Sequence, residues 1–191
     1  MRIPADNGPY RHPIQVYSAS KARALLASDA FFANNKTEFD HINILPSFVI
    51  GRSELTTKPE DITYSSNGVV MRQVLGVSYP KSVPGSTVHV NDIAKIHVLA
   101  LNSKITGNQS FMASSQGLDG TVYRDTSKTV EKHFAEAVES GLLPNNGTQI
   151  TKALRLDSSE TEKAFAIKSA SYEEQVKSVV GHYLDILGAK A

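Results

Sequence analysis

The amino-acid sequence predicts an α/β layer fold, and two neighbouring stretches carry this prediction. A helix is predicted from Tyr17 to about Ala33, because this stretch is rich in Ala, Leu, Lys and Phe and contains no Gly or Pro. An apolar, β-branched run from His41 to Leu45 follows and stops at Pro46, which is the pattern of a buried strand. Buried parallel strands have such continuous apolar sequences, and a helix beside one indicates stacked α and β layers.

The elements around this pair are shorter or irregular. Residues 1–14 are rich in Pro, Gly and polar side chains and predict a surface loop. Glycines and prolines interrupt residues 51–84, where Asn67 is predicted to cap a short helix that Gly76 closes. The stretch from Ser86 to Val90 alternates enough to predict a short strand.

Asn91 is predicted to cap the next helix. The inner face of that helix is predicted to consist of Ile93, Ala94, His97, Ala100 and Leu101. Residues 110–113 then predict another short strand, and residues 121–139 predict a further helix.

Two capping-box spacings mark helix starts in the C-terminal third. Ser159 is followed three residues later by Glu162, and Ser171 in the same way by Glu174. The last helix carries one apolar stripe, which we interpret as core by default: Tyr172, Val176, Val179, Val180, Tyr183, Leu184 and Leu187.

Composition excludes several classes of function. The 191 residues suit one ordinary domain or a large piece of one, and the net charge of +1 gives no field for nucleic acid or a membrane surface. Without cysteine the chain has no disulfide, thiolate metal site or thiol nucleophile, and the six histidines show no metal-ligand spacing. No secretory leader or membrane-spanning run is recognisable, so we expect a cytoplasmic protein.

Tyr17 and Lys21 are the residues whose spacing indicates chemistry. Residues four apart on a helix lie on one face, one turn from each other. A free tyrosine has a pKa of about 10, and a cation within about 4–6 Å favours the phenolate and lowers that pKa. Such a pair can protonate a carbonyl oxygen as hydride reaches the carbon. A solvated Tyr–Lys pair without catalytic role is the alternative.

The context of this pair resembles a known family. The string Tyr17-Ser-Ala-Ser-Lys21, the strand end Pro46-Ser-Phe-Val-Ile-Gly51 and the string Val90-Asn-Asp-Ile-Ala94 occur in the family's order. A C-terminal ending through Ser171-Tyr-Glu-Glu174 completes the pattern. Over residues 10–187 the chain resembles the C-terminal half of the extended short-chain dehydrogenase/reductase superfamily. Within it the chain is similar to the branch of dihydroflavonol, cinnamoyl-CoA and fungal methylglyoxal/aldehyde reductases.

This resemblance implies roles for individual residues. Tyr17 would be the proton donor or acceptor, and Lys21 would tune it and hold the nicotinamide ribose. The nicotinamide pocket would be lined by Pro46, Ser47, Phe48 and Val49, for which a turn that simply packs is an equally good interpretation. Ser65, Ser66 and Asn67 lie where the family often places another cofactor contact.

Other residues have simpler explanations. Asp92 would interact favourably with the dipole of the helix that it opens. His89 and His97 are interpreted as packing residues. A substrate pocket, or equally well the core, would be lined by Tyr64, Met71, Val74 and Tyr79.

The chain departs from the family in its first half. The strand, glycine-rich turn and helix that hold the cofactor pyrophosphate have no counterpart here, and neither does the serine or threonine that precedes the tyrosine. We expect a fragment or shortened gene model; a natural inactive truncation, or a chain that borrows the missing layer from a partner, are the alternatives. The strand over residues 42–45 would then have an exposed edge able to pair with another chain.

The resemblance implies the C-terminal part of a Rossmann-type, doubly wound parallel sheet with a small substrate lobe. We expect one partial domain over residues 1–191, with the Rossmann layer in 10–50 and 86–113 and the substrate lobe in 51–85 and 114–191. Two hypotheses follow. The first is an NAD(P)H-dependent reductase or dehydrogenase of a small-molecule carbonyl or alcohol, with NADP expected over NAD. The second is a non-catalytic module that binds a protein partner or small ligand, with a homo-oligomer or partner chain at the exposed sheet edge.

Overall fold

Helices and parallel strands follow one another along residues 8–188, which are the residues that the computed structural model describes. The seven predicted loop residues before them lie outside this range. The α-helices are α1 Pro13–Asn34, α2 Gly68–Val74, α3 Val90–Leu99, α4 Asp125–His133, α5 Ala135–Glu139, α6 Ser159–Phe165 and α7 Tyr172–Leu187. The strands are β1 Ile42–Pro46, β2 Phe48–Ile50, β3 Tyr79–Gly85, β4 Thr87–His89, β5 Gln109–Ala113 and β6 Gln149–Ala153.

The strands of the described residues form three two-stranded sheets. β1 pairs with β5, β2 with β4 and β3 with β6. The β2–β4 pair is parallel, with Phe48 opposite Thr87, and the β3–β6 pair is parallel with Val83 opposite Thr151. The predicted α/β class with parallel strands is confirmed. The three-residue strand β2, which begins two residues after Pro46, was not among the predicted elements.

The chain divides into two compact units. The first contains the described residues up to Asn43 together with Thr106–Ser110, and the second contains Ile44–Ile105 and the described residues from Phe111 onwards. The predicted assignment of residues to a Rossmann layer and a substrate lobe stays a prediction.

In the first unit, α1 is longer than predicted and carries no buried residue. It begins at Pro13, whose fixed φ suits the first helical turn, and Gln15 accepts a hydrogen bond from the His12 amide at 3.2 Å. The helix ends where Phe32 stacks on the His41 ring at 3.9 Å between centroids. None of the described helices, α1 included, is long and apolar enough to cross a membrane.

β1 is half-buried, so the prediction of a fully buried strand is wrong. Among the described residues its ladder partner is β5 alone, and a strand with one neighbour leaves its other edge without cover. The apolar sequence of β1 is therefore typical of a central strand with a neighbour on each side, whereas the described residues supply a neighbour on one side.

The core of the second unit lies between α2, α4 and α7. Val176, Val179, Val180 and Leu184 of α7 are completely buried there, which confirms most of the predicted stripe. Leu187 at the end of the helix is exposed instead.

One of the two predicted capping boxes is confirmed. The capping box of α7 is present: Glu174 donates its amide to Ser171 Oγ at 3.2 Å, and Ser171 donates its amide to Glu174 Oε2 at 2.8 Å. The predicted box of α6 is wrong. Asp157 Oδ1 accepts from the Ser159 amide at 2.9 Å, while Glu162 Oε1 accepts from the Ser169 amide at 2.9 Å beyond the helix.

The start and buried face of α3 also differ from the prediction. The His89 ring, not Asn91, caps the helix, because His89 Nδ1 accepts from the Asn91 amide at 3.1 Å. Ile96 is its buried side chain, whereas the predicted inner residue Leu101 is 86% exposed. The single helix predicted over residues 121–139 is two helices, separated at Phe134, whose φ of −136° is not helical.

An ion cluster on the surface of the second unit joins α4 to α7. Glu173 Oε1 accepts from Lys132 Nζ at 2.8 Å and from His133 Nε2 at 2.6 Å. The bond from Lys132, and then that from His133, lowers the pKa of Glu173 to about 2. A carboxyl with a lowered pKa stabilises the fold above its unfolded pKa, and this contribution is lost as the pH falls through the folded value.

We therefore expect Glu173→Gln to lower the melting temperature at pH 7 and to make its decline between pH 5 and pH 2 shallower. Thermal melts across this range measure both effects. Glu131→Gln, which removes the same charge at an exposed position of α4, is the control. An unchanged acid decline in Glu173→Gln would show that the cluster contributes nothing to stability.

Candidate active site

Tyr17 and Lys21 lie side by side on α1, in the first unit. Lys21 Nζ is 5.5 Å from the centroid of the Tyr17 ring, within the range of a cation–π contact. The Tyr17 side chain is 59% exposed, so its hydroxyl is accessible from solvent. The helix is locally regular here, with Ser20 Oγ donating to the Tyr17 carbonyl at 2.8 Å. The spacing argument holds, and the pair is available to an incoming molecule.

The four residues predicted to line the nicotinamide pocket belong to the second unit. The Ser47 amide donates to the Ala113 carbonyl at 2.9 Å, and the Phe48 amide donates to the Ser86 carbonyl at 3.2 Å. These two hydrogen bonds hold the connection between β1 and β2. Ser47 Oγ is buried and has no hydrogen-bond partner among the described residues. A buried hydroxyl without a partner is uncommon in folded proteins.

A cleft of about 610 Å³ opens beside the end of β2 within the second unit. Val49 from the predicted nicotinamide set lines this cleft together with Ser65, Ser66 and Asn67 from the second predicted contact. Ser66 Oγ donates a short hydrogen bond to the Val49 carbonyl, which joins the two segments directly. The fold thus brings Val49 into contact with residues 65–67, two stretches that the sequence placed in separate cofactor contacts.

Gly51 forms the turn at the floor of this cleft. Its φ of +141° is rarely adopted by residues with a side chain, and a Cβ there would lie 2.8 Å from Val90 Cγ1. The position therefore requires glycine on two independent grounds.

The polar contacts between this turn and α7 were not recognised from the sequence. The Arg52 amide donates to Ser178 Oγ at 3.0 Å, and the Ser53 amide donates to His182 Nδ1 at 3.4 Å. Arg52 itself bonds Asp185 Oδ2 at 2.7 Å through Nη1. Ser178 and His182 are four apart on α7, so two polar residues that share one face of the helix were the available signal.

The remaining candidate residues serve the fold. Asp92 lies in the first turn of α3, as predicted, and its Oδ2 also accepts from the Ala170 amide at 2.8 Å. His89 is a buried cap, but His97 is exposed, with Nδ1 2.7 Å from the Ile93 carbonyl, so the interpretation of His97 as a packing residue is wrong.

The residues that the sequence analysis grouped as a substrate pocket do not form one. Met71 and Val74 are fully buried in the core, while Tyr64 is exposed. Tyr79 lies under the Arg72 guanidinium, 5.2 Å from its ring centroid. The core interpretation is correct for the two aliphatic residues. Among residues 8–188 no group of three or more His, Cys, Asp or Glu side chains is arranged to hold a metal ion.

Comparison with known proteins places this geometry in a family. The chain is 42% identical over 188 residues to ketoreductase CTB6 of Cercospora beticola, covering 97% of this chain and 53% of that protein. It is 30% identical over 177 residues to the NAD-dependent epimerase/dehydratase ALT6 of Alternaria alternata, covering 86% of this chain and 49% of that protein. These similarities fit the extended short-chain dehydrogenase/reductase superfamily. The chain spans about half the length of the curated relatives that it matches.

Solved structures agree on the fold. The crystal structure of Gre2 from Candida albicans in complex with NADPH matches with a TM-score of 0.67 at 18% identity, covering 92% of this chain and 53% of that one. The predicted Rossmann-type α/β architecture is thereby confirmed. No family model matches the chain.

Proposed function

We propose that this chain is part of an NAD(P)H-dependent carbonyl reductase of the short-chain family. The observation that carries the proposal is the adjacent Tyr17–Lys21 pair on an accessible helix face, in a chain 42% identical to a ketoreductase. Tyr17 and Lys21 are the proposed catalytic residues. The cofactor contacts are Tyr17, Lys21, Pro46, Ser47, Phe48 and Val49.

The second unit offers features that fit a nicotinamide. Its cleft, of about 610 Å³, is within the size of small-molecule sites, about 300–1,000 Å³. Val49, one of the proposed nicotinamide contacts, lines this cleft. Gly51 keeps the floor of the cleft open, because any side chain there would collide with Val90.

The bound nicotinamide would supply the hydride that reduces the carbonyl carbon. Tyr17 donates its phenolic proton to the carbonyl oxygen, so that the product leaves as an alcohol and the phenolate remains. Lys21 lies against the Tyr17 ring, where its positive charge stabilises that phenolate. Lys21 would also hold a ribose hydroxyl of the cofactor. In the reverse direction Tyr17 accepts the proton of the alcohol.

The choice between NADPH and NADH is proposed from the relatives. Gre2 was solved with NADPH, while ALT6 is named NAD-dependent. We propose NADPH, with NADH as the alternative, for an enzyme of the cytoplasm acting on a small-molecule carbonyl or alcohol. Fold alone does not choose the substrate.

A titration with NADPH, followed by fluorescence, tests the proposal. The gene product extended by the sequence encoded upstream of Met1 is expected to bind NADPH with a Kd on the order of micromolar and to oxidise it when a carbonyl substrate is present. The 191-residue chain is expected to bind more weakly, because the pyrophosphate site of the family has no counterpart in it. An extended product that binds NADPH but reduces no aldehyde or ketone would contradict the assignment.

The exposed α1 favours a second candidate, a non-catalytic module. Ile14, Tyr17 and Leu26 leave apolar surface in solvent on a helix without any buried residue. Unpaired apolar surface and an open strand edge are features of partner-binding chains. A stable complex of this chain with a protein partner, formed equally well by Tyr17→Phe and without NADPH binding by any form of the chain, would support the module.

A further inference from the structure

We infer that Asn67 is a positioning residue, whose side-chain amide holds the turn after β2 in the conformation that the cleft requires. The inference rests on the proposed function, because the cleft is assigned to the nicotinamide cofactor. It also changes the sequence-based role of Asn67, which was grouped with residues that contact the cofactor directly.

The amide of Asn67 binds both sides of Gly51. Asn67 Oδ1 accepts from the Gly51 amide at 3.0 Å, and Asn67 Nδ2 donates to the Gly51 carbonyl at 2.8 Å. Asn67 is 7% exposed, so water competes little for these bonds. Two residues in an antiparallel pair exchange the same two bonds, and the asparagine side chain thus acts as a strand neighbour for one residue.

The rest of the turn also depends on side chains. The amides of Arg52 and Ser53 donate to Ser178 and His182 of α7, and no backbone carbonyl takes these places. Asn67 differs from both, because it bonds a donor and an acceptor of the same residue. It therefore fixes the orientation of both peptide planes around Gly51.

The turn transmits this restraint to the proposed nicotinamide contact. Ser66 precedes Asn67 and donates to the Val49 carbonyl, so neighbouring side chains hold Val49 and Gly51 together. Asn67 and Val49 both line the cleft. Loss of the Asn67 amide is expected to release the cleft floor while the helices of the core stay packed.

Asn67→Leu tests this in the 191-residue chain, because leucine has a similar volume and no polar group. Without the amide, exchange of the Gly51 backbone proton with solvent is expected to become about tenfold faster or more. The change in the NMR signal of the Val49 amide on addition of NADPH is expected to need about tenfold more NADPH. Asn67→Ala is the second variant, in case leucine does not fit.

Thr126→Val is the matched control. The Thr126 hydroxyl lies 2.8 Å from Tyr172 Oη and 3.3 Å from Gln73 Nε2, in the core and outside the turn. This variant also loses buried hydrogen bonds at constant volume, so it lowers the melting temperature for the ordinary structural reason. Exchange at Gly51 and the NADPH response of Val49 are expected to remain those of the wild type.

The outcomes separate this inference from the proposed function. Faster Gly51 exchange and a weakened NADPH response in both Asn67 variants, but not in Thr126→Val, support it. Unchanged Gly51 exchange, or an unchanged NADPH response despite fast exchange, overturns it. If the wild type itself shows no response to NADPH while the extended gene product does not bind it either, the proposed function fails, and with it the cofactor role of the turn. Fast exchange in Asn67→Leu would still establish what the amide holds.

Discussion

Tyr17→Phe is expected to lower carbonyl-dependent turnover by about 10²- to 10⁴-fold, the usual contribution of a positioned proton donor. The variant loses one hydroxyl from an exposed side chain, so the melting temperature should not change. Initial rates of NADPH oxidation by the extended gene product measure the effect. A KM for NADPH that stays constant while kcat falls would place the loss in the chemical step.

Tyr10→Phe is the control for this experiment. Tyr10 lies just before α1 and is 38% exposed, so it experiences the same chemical change near the same helix. Lys21→Met supplies a second line: because the ammonium lies against the Tyr17 ring, its removal is expected to lower turnover as well. Full turnover in Tyr17→Phe would contradict the catalytic assignment and leave the pair as a surface contact.

Gly51→Ala is expected to reduce the free energy of unfolding by about 2–4 kcal/mol, from backbone strain and from overpacking together. The φ of +141° is unfavourable for alanine, and the new Cβ would meet the stiff, β-branched side chain of Val90 at 2.8 Å. Urea unfolding measures the change. The NADPH response should be lost as well, since the turn forms the floor of the cleft.

Two other glycines separate strain from collision. Gly141 has a φ of +77° but no atom within 4 Å of its Cβ position, so Gly141→Ala tests strain alone, about 1 kcal/mol. Gly181 lies inside α7 with free space around it, and Gly181→Ala is expected to stabilise the chain by about 0.5–1 kcal/mol. A Gly51→Ala variant no less stable than Gly141→Ala would show that Val90 moves aside.

The sequence predicted best what short spacings determine. Tyr17 and Lys21 meet because helical geometry brings residues four apart to one face, and α7 begins at its capping box because both partners are within four residues. The same logic failed at Asn67, which has the correct position to cap α2 but bonds Gly51, sixteen residues earlier. A local sequence pattern does not show that a distant backbone group competes with the helix end for the same side chain.

The cleft was predictable in part for the same reason. Val49, Ser66 and Asn67 were each singled out by resemblance, but their meeting depends on hydrogen bonds between the end of β2 and the segment before α2, sixteen or seventeen residues apart. Ser178 and His182, which accept hydrogen bonds from the turn, belong to a helix more than a hundred residues away in the chain. The half-burial of β1 could not be predicted from its apolar sequence. Such a sequence indicates that the strand favours burial, but it does not show which neighbouring strands are present to bury it.

The absence of a fully buried side chain on α1 has a consequence for the proposed catalysis. A helix of 22 residues without a fully buried side chain gains little stabilisation from tertiary packing, which is the main source of helix stability in proteins. The advantage of holding reactants in place, an effective molarity, exists for the fraction of time that the scaffold is formed. In the reductase proposed above, any layer that docks on α1 would therefore act as an activator: by holding the helix in place it would raise kcat, even if it donated no group to the reacting atoms.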